Sequence, residues 1–245
     1  MKPILIQGAE NSELNYLLEK LENPKELDIA NFKFWTGTFD NYPIVLSRSK
    51  VGEINSAIST TIGIINFSPL CIINQGTSGA HTKYIKKNDL VIAENYFPIT
   101  NFIIDHFDEG TGSSLENWKL ESFISEDYEE VSKNATPQLL NFIKENKSLY
   151  SYGNIYFGTV GSGDIWNREV DRLHYLHTNY NTLCEEMEIA GVYTSANNFN
   201  IPVVSIRIIS NNEFLNDIYE PNCSTKCQIF VENISKEIIK KLENI

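Results

Sequence analysis

Four short runs rich in branched apolar residues punctuate this chain: Pro3 to Ile6, Leu70 to Asn74, Asn154 to Val160 and Pro202 to Ile209. Between them lie segments whose apolar side chains recur at helical spacing, such as Leu14, Leu17, Leu18 and Leu21. A parallel neighbour needs a crossover connection, so strands alternating with helices predict a mostly parallel central sheet covered on both faces, an α/β class. The 245 residues, 42% of them hydrophobic, suffice for one large core. Without a repeat, a low-complexity tract or a linker, residues 1–245 are expected to form a single domain.

The pattern resolves further along the chain. A helix is predicted from Ser12, as N-cap, through Leu21. The runs FKFWTGTF and PIVLSRS, parted by Asp40-Asn41, read as a hairpin. A helix from about Glu53 to Asn66 leads to the strand Leu70 to Asn74, which is expected to enter a small-residue loop, Gly76-Thr77-Ser78-Gly79-Ala80. Asp89 to Ala93 reads as a strand, and Ile99 to Gln138 as polar, aromatic and partly loop. Later helices are expected over Arg168 to His177 and Glu186 to Phe199, and an exposed one over Cys227 to Leu242. Ligands of such sheets sit at the carboxyl ends of strands, which directs attention to the residues after Ile6, Asn74, Val160 and Ile209.

A net charge of -12 repels phosphate backbones and disfavours nucleic acid, but not an uncharged nucleoside. The four cysteines are too few and scattered for a disulfide framework. No apolar segment reads as a signal peptide or membrane span, so a reduced, cytoplasmic protein is expected. The four histidines show no metal-ligand spacing, and no metal is expected.

Several residues have both a structural and a chemical reading. Glu13 lies where a strand gives way to a helix, as a dipole-stabilising surface residue or as a base. Glu188 closes the run Glu185-Glu186-Met187-Glu188, either a solvated face or a site carboxylate. The loop at Gly76 is a plain turn or an anion cradle of backbone N–H groups. Trp166, after the turn Gly161-Ser162-Gly163-Asp164, is a core residue or a platform for a flat base. Arg207 interrupts the apolar strand Val203 to Ile209. An unpaired charge there would cost several kcal/mol, on the order known for uncompensated buried ions, so it must face a carboxylate or an open site.

Five of these pieces in order resemble one family. Gly8-Ala9-Glu10-Asn11-Ser12-Glu13 resembles the N-terminal Gly-Ala-…-Glu turn of the 5'-methylthioadenosine/S-adenosylhomocysteine nucleosidases. Asn74 to Ala80 is similar to their Asn-x-Gly-Ser-Ala-Gly-Gly loop, and Ser162-Gly163-Asp164-Ile165-Trp166 to their Ser-Gly-Asp-x-Phe. Glu186-Met187-Glu188 is similar to their Glu-Met-Glu, and Arg207-Ile208-Ile209-Ser210-Asn211 to their Arg-x-x-Ser-Asp.

The resemblance implies a three-layer nucleoside-phosphorylase-like fold with a central mixed, mostly parallel sheet flanked by helices. It implies a homodimer that cleaves the N-glycosidic bond of a small nucleoside without a cofactor. Glu13 would activate water, helped by Thr77 and Arg207. Glu186, Met187 and Glu188 would hold the ribose and its developing charge. Trp166 would stack on the purine, the Asn167 backbone would read its edge, and Ser78, Gly79 and Ser210 would complete the pocket. Asn74 stands where many phosphorylase relatives carry a phosphate-binding Arg, which favours water as the nucleophile.

Two departures qualify this. Asn211 replaces the family's aspartate, and an amide donates a hydrogen bond but delivers no proton. That keeps open a 6-oxopurine nucleoside hydrolase or phosphorylase, and a catalytically impaired nucleoside-binding protein. Tyr96 to Gly112 also does not align with the family's 5'-pocket segment.

Overall fold

The computed structural model of the chain describes residues 1–101, 106, 108–109 and 134–243. Its central strand, β1 (Ile4–Gly8), is buried at every position and lies parallel to both neighbours, β4 (Tyr42–Arg48) and β5 (Cys71–Ala80). Burial on both faces explains the continuous apolar run. The hairpin of β3 (Phe32–Phe39) and β4 forms as expected, and Asp40 and Asn41 both take positive φ in its two-residue turn.

The other strands are β2 (Glu22–Ile29), β6 (Leu90–Pro98), β7 (Ile155–Ser162), β8 (Thr182–Glu186) and β9 (Val203–Asn211). The sheet runs β2-β3-β4-β1-β5-β8-β7-β6-β9, and a further β5–β9 pairing closes the last five strands into a ring. Parallel ladders join β1 to β4 and β5, β5 to β9, and β7 to β6 and β8, while the remaining pairings are antiparallel.

Two groups of helices flank this mixed sheet: α1 (Asn15–Lys20) with α6 (Ser224–Glu243), and α2 (Glu53–Phe67) with α5 (Ile189–Asn198). The α2/α5 crossing depends on Gly191, where a Cβ would lie 2.2 Å from the Glu53 carbonyl oxygen. Helices α3 (Pro137–Glu145) and α4 (Val170–Tyr180) complete the described elements.

Four expectations need correction. The small-residue stretch at Gly76 is no loop: β5 runs through Ala80 because its far half pairs with β9 and β8. The acidic run preceding α5 is not helical either: Glu185 and Glu186 end β8, Met187 and Glu188 form a bend, and α5 starts at Ile189. Helix α1 begins only at Asn15, because Asn11–Glu13 forms a 3₁₀ turn that Glu10, not Ser12, caps. Helix α6 is not an exposed helix, since Cys227, Phe230, Val231, Ile234 and Ile239 are buried. Strand β2, not predicted, is a mostly exposed edge of polar and charged residues. Most of Ile99 to Gln138 lies outside the described residues.

Candidate active site

A cavity of about 240 Å³ opens at the carboxyl ends of β1, β5, β8 and β9. Of the site residues predicted from sequence, Glu13, Thr77, Ser78, Gly79, Trp166, Glu186, Met187, Glu188, Ser210 and Asn211 all line it.

Glu13 arrives through the 3₁₀ turn after β1, which folds its carboxylate back over the strand end. Oε2 accepts from the N–H groups of Ala9 at 2.8 Å and Glu10 at 3.3 Å. Oε1 accepts from the Thr77 N–H at 2.8 Å and its hydroxyl at 3.2 Å. Four donors thus fix a carboxylate that is only 5% exposed, which orients it before any substrate arrives.

Arg207 lies beneath this floor. Its Nη2 donates to Glu186 Oε2 and to Asn74 Oδ1, both at 2.5 Å, and lies 3.7 Å from Glu188 Oε2. Burial pulls its pKa down, but Glu186, Glu188 and Glu13 outweigh that and hold it above the usual arginine value. Gly76 permits the arrangement, since a Cβ there would fall 2.3 Å from Arg207 Nη1 and 2.7 Å from Glu13 Oε1. The guanidinium and the Glu13 carboxylate therefore occupy the space over one glycine.

Glu186 is held as a fixed counter-ion, accepting from the N–H groups of Glu188 at 2.8 Å and Ile189 at 3.0 Å besides Arg207. Glu188 is differently placed. Its Oε1 accepts from the Gly52 N–H at 3.2 Å. Burial first, and then the Glu186 charge, push its pKa up to about 8 against the opposing pull of Arg207.

Across the cavity, Asn211 Oδ1 accepts from the Ser210 hydroxyl at 3.0 Å, and its Nδ2 donates to Glu213 at 3.3 Å. Glu213 in turn accepts from Arg168. This leaves the second Nδ2 hydrogen to donate elsewhere. Trp166 is 56% exposed and meets Tyr219 edge-on at 5.4 Å, so it forms part of the mouth and not of the core.

Asn167 departs from its expected place. Its backbone N–H donates to Glu185 Oε1 at 2.7 Å, and it does not line the cavity. Glu185 lines it instead, and sequence reading missed that residue together with Tyr219 and Val51. The only signal for Glu185 was its place beside Glu186. Tyr219 lies in a stretch without periodicity.

The model of the phosphorylase superfamily matches residues 3–240. The chain belongs to that superfamily. Among superfamily relatives, the 5'-methylthioadenosine/S-adenosylhomocysteine nucleosidase of Anoxybacillus flavithermus is 27% identical over 85% of this chain and 84% of its own. The Bacillus subtilis nucleosidase of the same name is also 27% identical, over 85% of each chain. The Neisseria meningitidis nucleosidase bound to methylthio-immucillin-A superimposes with a TM-score of 0.77 at 21% identity, covering 97% of this chain and 100% of its own. A futalosine hydrolase mutant of Helicobacter pylori does so at 0.76 and 22% identity, with the same coverage. At that identity the two structures establish the shared fold.

Proposed function

We propose that this chain hydrolyses the N-glycosidic bond of 5'-methylthioadenosine and S-adenosylhomocysteine, releasing adenine and the 5-thioribose derivative. The observation that carries the reading is the pair of Glu13 and Glu188 lining one cavity at the strand ends, with Arg207 buried beneath them. The names of the relatives point the same way.

In this mechanism a water oxygen bonds to the ribose C1' on the face toward Glu13, which takes the water's proton. The C1'–N9 pair leaves with the base. In its ionised form, whose share grows as pH approaches 8, Glu188 near the ribose hydroxyls offsets the positive charge that develops on the sugar. Asn211 donates a hydrogen bond from Nδ2 to purine N7, and the departing base takes its proton from solvent. Water is favoured over phosphate because Asn74, whose Oδ1 accepts from Arg207 and Ser205, offers no cation. The carboxylates of Glu13 and Glu186 also line the floor and disfavour a phosphate anion.

A second reading, hydrolysis or phosphorolysis of 6-oxopurine nucleosides, draws on Asn211, whose amide can serve a carbonyl at position 6 as well as N7. A mixture of methylthioadenosine and inosine, incubated with and without phosphate, separates the two. Phosphate-independent release of adenine supports the first reading. Release of hypoxanthine, or a need for phosphate, supports the second. Tight purine binding with no turnover would point to a binding protein, and adenine release abolished by Glu13→Gln would eliminate that option.

The proposal extends to a homodimer in the cytoplasm. Helix α2 exposes Ile54, Ile58 and Ile65 in the described chain, a stripe that a second copy would cover. Among the described residues no helix is long and apolar enough to cross a membrane.

A further inference from the structure

We infer that Glu185 is a specificity-determining residue: its carboxylate in the cavity wall accepts an N–H from the six-membered ring edge of the nucleobase. The inference rests on the reading of the cavity as a nucleoside site.

Glu185 is 4% exposed, yet it lines the cavity. Three donors of the described chain converge on it. His81 Nε2 stands 3.1 Å from Oε2, Asn167 Nδ2 donates to the same oxygen at 2.7 Å, and the Asn167 N–H donates to Oε1 at 2.7 Å. His81 is itself fixed by Thr182 Oγ1, 2.7 Å from its Nδ1. A carboxylate offers about four acceptor positions, so Oε2 is filled and Oε1 keeps one. The carboxylate is thus held in place by its other contacts and can accept one more hydrogen.

The chemistry of the wall selects the ligand. A carboxylate repels a ring nitrogen lone pair or a carbonyl oxygen and attracts an N–H. Two purine classes present one on that edge: a 6-aminopurine through its exocyclic amine, and a 6-oxopurine through its ring N1–H. A purine with neither turns a lone pair toward the one open acceptor position of the buried carboxylate, and sites built to accept a substrate N–H reject such analogues strongly. Asn211 meanwhile donates to the N7 side. One cavity then carries an acceptor and a donor for two edges of one base.

The test compares kcat/KM for 5'-methylthioadenosine, 5'-methylthioinosine and the 5'-methylthio riboside of unsubstituted purine, in the native protein and in Glu185→Gln and Glu185→Ala. Native protein is expected to favour one of the first two over unsubstituted purine by about 100-fold or more beyond the difference in Glu185→Ala. The favoured arm identifies the amine or the ring N–H. Comparing variants cancels the intrinsic reactivity of each base. Glu185→Gln can keep His81 and Asn167 paired by turning their rings and amides, and is expected to narrow the preference about tenfold, since a neutral acceptor is weaker.

Matching far-UV circular dichroism spectra and cooperative thermal melts of the three proteins serve as the control for folding. A preference that is the same in all three proteins overturns the inference while leaving the nucleosidase reading intact. Failure of the native protein to cleave or bind any of the three ribosides, followed by calorimetry in Glu13→Gln, overturns both.

Discussion

Glu188→Gln should make the protein more stable, and increasingly so as pH rises from 5 to 8. In the folded chain the Glu188 carboxyl is pushed up to about 8 by burial and by Glu186, against an ordinary value of 4.5. Between those values the folded chain holds a proton that the unfolded chain has released. Stability is therefore fully present below about 4.5 and is lost as pH rises towards 8. At about 1.36 kcal/mol per pH unit across that interval, the loss is on the order of 3–5 kcal/mol, with Arg207 sharing part of the ionisation cost.

Glutamine cannot ionise, and its carbonyl can still accept from Gly52. For a chain of this size each kcal/mol moves Tm by about 2–4 °C. The Tm of Glu188→Gln minus that of the native protein should then grow by at least about 6 °C between pH 5 and pH 8, by scanning calorimetry in matched buffers. Glu53, raised to about 7 by burial and by Asp164 and Glu186, is present in both proteins and cancels. A difference that stays constant across this range would refute the electrostatic account of the site. So would one that shrinks as pH rises.

The remaining expectations address other parts of the same floor. Glu13→Gln should lower kcat by about 10²–10⁴-fold, the usual loss on removing a general base, with a smaller change in KM. Arg207→Met leaves Glu186 without its buried partner and should cost about 3–5 kcal/mol in denaturant unfolding. Gly76→Ala should displace both Arg207 and Glu13, so steady-state kinetics should show a loss in kcat comparable to that of Glu13→Gln although no catalytic group is removed. Asn211→Asp supplies an acid whose proton Glu213, 3.3 Å from the present amide, would help retain. Adenine release should then rise at least about tenfold, most clearly below neutral pH.

The fold was legible wherever burial imposed a pattern. Strands β1, β5 and β9 lie between neighbours on both sides, so their residues had to be apolar in sequence and could be found there. The exposed strand β2 carried no such demand. Its place is set by backbone pairing with β3 and by Lys33 reaching Glu26 and Asp28, none of which leaves a hydrophobic period. The far half of β5 misled for a related reason. Small residues are what a loop would use, but here they leave room for Arg207, Glu13 and Asn211 to crowd against a strand.

Site residues were legible to the degree that their type clashed with their surroundings. Arg207 stood out because the strand around it, Val203 to Ile209, argued for burial, and burial of a guanidinium demands a carboxylate. Glu186 meets that demand from a strand the sequence had read as helix. Glu185 did not stand out, since one more acidic residue in an acidic run has no pattern to violate. Its importance arises only in three dimensions, where β8 turns Glu186 toward Arg207 and places Glu185 against His81 and Asn167. Adjacent residues of a strand face opposite ways, so β8 alone sends neighbouring carboxylates to different partners. Glu186 belongs to the cation that organises the floor. Glu185 belongs to the wall, where an acceptor bears on which base the cavity admits.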